Sequence, residues 1–332
     1  MILGIDFGTS NSLVSWVTAF KGTPEVHNAL DGNQPHPSVV WYYGDQVVVG
    51  KRAKDHLRPT DEVMAGNVAR SPKLLLGTGR RYRVASLDKD PVEVAADILK
   101  FLIKDSRDRI QALSQTTVKA VLTVPVDRDG SYRQALREAA RMAGLDIVQF
   151  IHEPLAALYG YLAQRPDPSD ELRRLENRLV LVFDWGGGTL DLNLCLIRNG
   201  NLLQVQNLGT DSVGGNRFDE YLMNWAREQH AQKFGLLPPP SISSDVDARL
   251  WKQCELAKIA LSTSASVPPI QVTGFFPEGG EARDLVVPIT REDLEGTTLS
   301  LVDQGIEKII ELLLIVRPLG LWSRRWQPHC RC

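Results

Sequence analysis

The feature that most constrains the fold is a repeated arrangement of an apolar strand, an aspartate and a glycine-containing turn. Near the start, GIDFGTSNS places Asp6 and Gly8 directly after an apolar run. About 180 residues later, LVLVFDWGGGTLDLNL places Asp184 before three glycines and Asp191 after them. A repeat spaced this widely predicts two related lobes, because the repeats of a solenoid are only a few tens of residues long.

Paired glycine turns of this kind are typical of a phosphate site. Turns without Cβ atoms expose their N–H groups, and a concave row of these groups binds phosphate oxygens. The carboxylates of Asp6, Asp184 and Asp191 would repel a polyphosphate unless Mg²⁺ or a monovalent cation lay between them. Either turn alone would favour a plain structural hairpin, whereas the pair favours a site that grips a polyphosphate from both sides.

Several other classes of function are disfavoured. The chain has no G-x-x-x-x-G-K-[ST] loop, and its three glycines precede a strand instead of opening a helix. With 332 residues, 23% charged residues and a net charge of −2, it lacks the basic excess of a nucleic-acid surface. No signal peptide or apolar run of about 18 residues points to a membrane. Four cysteines, two of them in apolar or helical stretches, favour reduced thiols and a cytoplasmic location.

The order of predicted elements favours an α/β fold. In the first lobe strand and helix patterns alternate, with a buried strand at 118–124 and helices opened by Pro91 and Pro154, which predicts a largely parallel sheet. The polar segment 165–178 is interpreted as a solvated connection. In the second lobe, Asn199-Gly200 predicts a hairpin, and helices are predicted at 218–234 and about 246–262. Thr290 and Asp293 match a capping box that opens a last helix.

Five motifs, in order, resemble those of the actin, sugar-kinase and heat-shock ATPase superfamily: GIDFGTSNS, TVP at 123–125, IHEPLAALYGY at 151–161, VFDWGGGTLD at 182–191 and VGGNRFD at 213–219. In detail they are similar to the nucleotide-binding domain of the seventy-kilodalton heat-shock chaperones, the DnaK family. The resemblance runs from residue 2 to about residue 262. It implies an actin-like ATPase fold whose two lobes each contain a ribonuclease H-like mixed sheet flanked by helices.

The resemblance also implies a domain organisation. The first lobe is expected at 1–178 with an inserted subdomain around 35–112, and the second at 179–316 with an insertion around 219–290. After Val316 the family's Gly-Gly-Ser adenosine loop has no counterpart. The second lobe is therefore expected to be incomplete and residues 317–332 to be an aberrant or disordered tail, so peptide clients are not expected for this chain alone. His329, Cys330 and Cys332 would make only a weak metal site there.

The family's catalytic and phosphate-binding roles carry over to matching positions. Asp6, Asp184 and Asp191 match the acids that hold Mg²⁺ and K⁺. Lys73 is similar to the lysine that reaches the γ-phosphate, although alone it would suggest a surface lysine, and Glu153 resembles the acid that positions water and metal, although it also suits a helix entry. The two phosphate loops match Gly8, Thr9, Ser10 and Asn11, then Gly186, Gly187, Gly188 and Thr189, of which Thr189 is expected to orient the attacking water.

The nucleoside side of the site is implied by CELAKIALSTS. Glu255, Lys258 and Ser262 share one helical face and are expected to reach the ribose and adenine, while Ile259 replaces the family's stacking arginine. Gly214 and Gly215 match the turn near the sugar. Pro125 and Arg133 match a proline switch and its sensing arginine, with a strand terminator and a surface residue as the plainer interpretations.

The resemblance predicts ATP binding and hydrolysis, with ATP or ADP and Mg²⁺ as cofactors and K⁺ as a further cation. It also predicts a J-domain cochaperone and a nucleotide exchange factor as partners. Two alternatives remain open, an actin-like filament-forming ATPase and a non-catalytic remnant. A sugar kinase is less favoured because no sugar-pocket signature is present.

Overall fold

The computed structural model describes residues 2–17, 22, 24–27, 35–55, 67–84, 87–110, 118–126, 128–235, 244–278 and 281–317. The expected tail therefore lies outside the described residues except for Arg317, as does Ser243, one of two proposed helix caps. None of the described helices combines the length and apolar character that crossing a bilayer requires.

A mixed sheet organises the N-terminal part of the chain. Its strands are β1 (Ile2–Phe7), β2 (Asn11–Val17), β3 (Pro24–His27), β4 (His36–Pro37), β10 (Val118–Val124) and β11 (Leu145–His152). The order is β11-β10-β1-β2-β3, and β4 also pairs with β2. β1 is parallel to β10, and β10 to β11, whereas β1, β2, β3 and β4 pair antiparallel. The prediction of a largely parallel sheet was wrong, because the first glycine turn returns the chain directly as a hairpin.

Helices cover this sheet, two of them at Pro91 and Pro154 as the sequence predicts. They are α2 (Pro91–Arg109), α3 (Gly130–Met142) and α4 (Glu153–Ala163). Asp90 and Glu93 form a capping box at the start of α2, and Gly144 takes a positive φ of 77° just after α3. The core between sheet and helices is closely packed and includes the fully buried side chains of Leu3, Ile5, Phe7, Leu99, Leu122 and Tyr132.

Smaller elements lie between β4 and α2 and carry Lys54 and Lys73. A three-stranded sheet contains β5 (Val39–Tyr43), β6 (Gln46–Val49) and β7 (Val68–Arg70), and a two-stranded one contains β8 (Tyr82–Val84) and β9 (Leu87–Lys89). Lys54 lies on the short helix α1 (Lys51–Asp55), and Lys73 lies in a 3₁₀ turn at Pro72–Leu74.

The C-terminal part is built on an antiparallel sheet of β12 (Leu179–Trp185), β13 (Leu190–Arg198) and β14 (Asn201–Thr210). The predicted hairpin is present, with positive φ at Asn199 and Gly200. The remaining elements are α6 (Gly215–Phe234), α7 (Ser244–Leu261), β15 (Ile270–Glu278), β16 (Glu281–Val287) and α8 (Arg291–Val316). The capping box of Thr290 and Asp293 is confirmed at the start of α8.

Two further expectations are settled by the structure. The segment 165–178, interpreted as a solvated connection, contains a helix, α5 (Pro168–Arg174), which begins at the cap Asp167 and buries none of its residues. Cys195 and Cys254 are buried free thiols, as predicted. The α/β fold is confirmed, with a mixed sheet in the N-terminal part and an antiparallel sheet in the described C-terminal part. The lobe and insertion boundaries stay predictions.

Candidate functional site

The two glycine turns face each other in space. A Cβ built on Gly187 would lie 1.9 Å from Ser10 Oγ, and one built on Gly188 would lie 3.1 Å from Thr9 Cγ2. A contact of 1.9 Å is impossible for a real side chain, so a larger residue at position 187 would have to displace the Ser10 hydroxyl, and glycine lets the two turns meet directly. The spatial pairing predicted from the repeated motif is therefore present.

The first loop is held in shape by its own backbone and by Ser38. A Cβ on Gly8 would lie 2.1 Å from the carbonyl oxygen of Asn11, so only glycine allows this tight return between β1 and β2. The Ser38 hydroxyl donates to the Gly8 carbonyl at 2.8 Å, and the Ser38 N–H donates to the Ser10 carbonyl at 2.8 Å. Both carbonyls of the loop are thereby fixed from one side.

The second loop is supported from behind by the start of α6. The N–H of Gly215 donates to the Gly186 carbonyl at 2.9 Å, and the N–H of Asn216 donates to the Gly187 carbonyl at 2.7 Å. A Cβ on Gly214 would lie 2.6 Å from the carbonyl carbon of Gly188. Gly214 and Gly215 thus allow the helix to approach the loop closely.

A cavity of about 610 Å³ lies between the two loops. Most of the predicted phosphate and metal residues line it, namely Asp6, Gly8, Thr9, Ser10, Asn11, Lys73, Glu153, Asp184, Gly186, Gly187, Thr189 and Asp191. Its lining does not include Gly188, Gly214, Gly215, Glu255, Lys258 or Ser262. The fold brings the predicted catalytic and metal residues together, while the predicted nucleoside residues lie outside this cavity.

Two hydroxyl groups orient the carboxylates of the cavity. Thr123 Oγ1 donates to Asp6 Oδ1 at 2.7 Å, and Thr189 Oγ1 donates to Asp191 Oδ2 at 2.7 Å. Asp184 and Asp191 are directly opposite each other in the β12–β13 register. The three acids therefore lie at the ends of β1 and β12 and at the start of β13. These strands hold the carboxylates in fixed positions.

Lys73 and Glu153 form an ion pair inside the cavity. Lys73 Nζ lies 2.6 Å from Glu153 Oε1, and their side chains are only 11% and 14% exposed. Lys73 is held by the 3₁₀ turn and Glu153 is the first residue of α4. The plainer interpretation of Lys73 as a surface lysine does not hold, because its side chain is buried in the cleft.

The cavity has more acidic groups than basic ones among the residues that line it. Burial raises the pKa of Glu153 to about 7; Lys73 opposes this shift, and Asp6 and Asp191 add to it. Burial also raises the pKa of Asp184, with a further contribution from Asp191. Four carboxyl groups facing one lysine make the cavity electrostatically suited to a cation.

The predicted nucleoside residues on α7 are engaged in contacts of their own. Lys258 Nζ lies 2.7 Å from Asp219 Oδ1 and donates to the Gly215 carbonyl at 2.9 Å. Burial raises the pKa of Asp219 to about 6, and Lys258 opposes that shift. The Lys258 side chain thus lies behind the second glycine loop, on the side where α6 begins.

Glu255 on this helix and Ser262, just after its end, lie further out. Glu255 Oε1 is 2.7 Å from Lys54 Nζ, a contact between α7 and α1 that joins the two sides of the cleft. Ser262 donates to the Lys258 carbonyl at 3.2 Å, and the Ile259 side chain is 57% exposed. Contact of these residues with a nucleoside stays a prediction.

Arg133 takes part in a hydrogen-bonded chain between the two parts of the molecule. Arg133 Nη2 lies 3.2 Å from His152 Nε2, and His152 Nδ1 lies 3.1 Å from Gln204 Oε1 on β14. Because arginine can only donate, His152 is assigned as the tautomer that accepts at Nε2 and donates at Nδ1. Pro125 lines a neighbouring cavity of about 250 Å³ together with Glu153. The relay role of Pro125 and Arg133 stays a prediction.

Sequence reasoning missed three residues that build the site. Thr123 and Asp219 lay inside motifs that were recognised, but their partners, Asp6 and Lys258, are distant in the chain. Ser38 carried no motif at all, and its contact with the first loop depends on the placement of β4 and β5.

Comparisons with known proteins show the family of this chain. The family model described as Hsp70 protein matches residues 2–66 and 82–314. The chain belongs to the Hsp70 family. Among similar proteins, the chaperone protein DnaK of Metamycoplasma hominis is 32% identical over 94% of this chain and 49% of its own length. DnaK of Thermotoga neapolitana is 32% identical over 91% of the chain and 48% of its own length, and DnaK of Ureaplasma parvum is 30% identical over 94% and 49%.

This Hsp70 chain spans about half the length of the curated relatives it matches. The matched half supports a DnaK-like nucleotide-binding domain with an actin-like ATPase fold. Membership of the Hsp70 family implies binding of ATP or ADP. The resemblance stated from the five motifs is therefore confirmed.

Proposed function

We propose that this chain binds Mg-ATP in the cavity between its two glycine loops and hydrolyses the γ-phosphate bond. The observation that carries the proposal is the direct apposition of Gly187 and Ser10 beside four carboxyl groups and Lys73. Backbone N–H groups and the hydroxyls of Thr9 and Ser10 are suited to bind phosphate oxygens from both sides. Positioning and charge neutralisation supply most of the catalysis in reactions of this class.

The donor set of the cavity fits a hard divalent cation. Asp6, Asp184 and Asp191 offer carboxylate oxygens, the ligands that Mg²⁺ prefers. Burial and, after it, the neighbouring Asp191 raise the pKa of Asp184, and a cation between these carboxylates would favour their charged forms. We assign these three residues to hold Mg²⁺ through water, and K⁺ in addition. When bound, the cation would neutralise phosphate charge and reduce repulsion between phosphates and carboxylates.

The chain's own residues have separate roles in this proposal. Lys73 neutralises charge that develops on the phosphate, and its 2.6 Å pair with Glu153 holds the ammonium group in the cleft. Glu153, with a pKa of about 7, is suited to exchange a proton with the attacking water near neutral pH. The Thr189 hydroxyl donates its hydrogen bond to Asp191, so the lone pairs of the hydroxyl oxygen are left to accept a hydrogen bond from that water and orient it.

The finer parts of the function rest on family membership. We assign Glu255, Lys258 and Ser262 to the ribose and adenine, with Ile259 covering the base by apolar contact instead of a guanidinium. Relatives named as DnaK are chaperones, and we propose that this domain serves a chaperone cycle with a J-domain cochaperone and a nucleotide exchange factor, in the cytoplasm. Buried reduced thiols at Cys195 and Cys254 are compatible with that compartment.

The proposal is tested by phosphate release from Mg-ATP. We expect Lys73→Ala and Asp184→Ala to lower the rate by about 100-fold or more, because each removes a charge that acts on the reacting phosphate. Lys119→Ala, at an exposed position of β10, is the matched control and should keep the wild-type rate. Melting curves of each variant confirm folding, and unchanged rates in both cleft variants would contradict the site assignment.

The two alternatives predict different results. A filament-forming ATPase would sediment as a polymer with ATP, whereas the proposed domain stays in the supernatant. A non-catalytic remnant would show no rise in melting temperature with Mg-ATP, whereas a ligand that binds only the native state must raise it.

A further inference from the structure

A cluster of two histidines and an aspartate lies apart from the nucleotide cavity. His27 on β3 and His36 on β4 are 0% and 1% exposed, and Asp105 on α2 has a side chain that is 12% exposed. One potential ligand atom from each of the three residues lies within 4.8 Å of the others. None of the three residues lines the cavity between the glycine loops.

The structure assigns to His27, His36 and Asp105 a binding site for a divalent transition metal of the zinc class. Two imidazoles and one carboxylate are a common ligand set for Zn²⁺ and suit Co²⁺ and Ni²⁺ as well, whereas Mg²⁺ prefers oxygen ligands alone. The site is thus chemically distinct from the proposed Mg²⁺ site, and it does not depend on the proposed function.

The distances are close to those that a tetrahedral ion requires. Ligand atoms at about 2.0–2.2 Å from a tetrahedral zinc are separated from one another by roughly 3.3–3.5 Å. His36 Nε2 lies 3.5 Å from Asp105 Oδ2, which already matches that spacing. His27 Nε2 lies 2.6 Å from the same oxygen, a hydrogen bond that has to open by less than about 1 Å to admit the ion.

The surroundings favour a bound cation. The His27 ring lies against Trp16 and the His36 ring against Phe101, with centroids 6.1 and 5.6 Å apart. In this apolar shell the Asp105 carboxylate supplies negative charge where water is largely excluded, which strengthens its attraction for a cation. The exposed part of Asp105 is the place where a water could complete the fourth position of a three-ligand site.

A metal here would connect three elements that are distant in sequence. It would join β3, β4 and α2, and β4 ends one residue before Ser38, which holds the first loop by two hydrogen bonds. The ion would therefore act as a structural cross-link beside the first loop, not as a catalytic group.

The test is titration of the full chain with Co²⁺ and Zn²⁺ in the absence of nucleotide. We expect the chain to bind one equivalent of Co²⁺, with the d–d absorption typical of a cobalt ion of low coordination number. Zn²⁺ but not Mg²⁺ should displace the cobalt, and Zn²⁺ should raise the melting temperature. Asp105→Asn and His36→Gln should weaken binding by about 100-fold or more. His230→Gln is the matched control and should keep wild-type affinity. It replaces a buried histidine of α6 whose ring lies between those of Phe234 and Phe275.

A second variant separates this site from the thiols at the end of the chain. Cys330→Ser combined with Cys332→Ser should leave the stoichiometry and the spectrum unchanged, and wild-type protein should show no thiolate-to-cobalt charge-transfer band. This comparison stands even where Asp105→Asn does not fold. Three results would overturn the proposal and leave a plain histidine–aspartate hydrogen bond. They are no metal uptake by wild-type protein, loss of metal binding in the cysteine variant, and unchanged metal binding by folded Asp105→Asn.

Discussion

Burial and neighbouring charges together set the protonation state of Glu153 in the cavity. The free carboxyl has an ordinary pKa of 4.5, and burial raises the pKa in the folded protein to about 7 despite the nearby Lys73. Between these values the folded state keeps a proton that the unfolded state has released. The free energy of unfolding therefore falls as pH rises from about 4.5 to 7, because an acid with a raised pKa favours the native state only while it is protonated.

Replacement of this carboxyl should reduce the pH dependence. In Glu153→Gln we expect the fall in free energy of unfolding across that window to shrink by on the order of 1–3 kcal/mol, because the amide does not titrate. Chemical denaturation at several pH values without nucleotide measures it. Glu307→Gln, at an exposed position on α8, should behave as wild type. A variant curve parallel to the wild-type curve would show that Glu153 titrates normally.

Individual residues could be predicted only where a motif carried them. Asp6, Asp184, Asp191 and the glycines followed from two local patterns, and the structure places most of them on one cavity. His27, His36 and Asp105 are separated by up to 78 positions, and nothing local indicates that they meet. Their proximity depends on strand pairing and on packing of α2, which a single sequence does not reveal.

At the scale of elements, α8 shows how a glycine permits close packing. A Cβ on Gly305 would lie 2.7 Å from Cη2 of Trp185, whereas a Cβ on Gly296 of the same helix would meet nothing within 4 Å. The glycine at 305 thus lets the helix pack on the indole at the end of β12.

These two positions form a matched pair of substitutions. Gly305→Ala should destabilise the protein by about 1–3 kcal/mol, because the new methyl group collides with Trp185. Gly296→Ala should stabilise it by up to about 1 kcal/mol, because alanine is the better helix former and the position is open. Thermal or urea unfolding of both variants checks the difference, and shifts of equal sign and size would disprove the packing of α8 on Trp185.

Element predictions succeeded where caps and periodicity were strong and failed where pairing was non-local. Pro91, the capping box at Thr290 and the Asn199-Gly200 turn predicted two helices and a hairpin correctly. The helix α5 was missed because its charged sequence buries no residue and has no apolar stripe. The antiparallel pairing of β1 with β2 was missed because the alternation of later strands and helices dominated the prediction.

At the scale of the whole molecule, two parts of the chain meet at the glycine loops and again where Lys54 of α1 pairs with Glu255 of α7, at 2.7 Å. The repeated motif predicted the first meeting, because related lobes place equivalent turns in equivalent positions. The second could not be predicted, since 201 positions separate the partners and neither belongs to a motif that indicates the other.

The claim that both loops bind one polyphosphate is tested most directly by equilibrium affinities of the wild-type chain for ATP, ADP, AMP and adenosine with Mg²⁺. We expect binding of one equivalent of ATP or ADP, and at least about tenfold weaker binding of AMP and adenosine, because the shorter ligands cannot reach both loops. Equal affinity for AMP and ATP would contradict it.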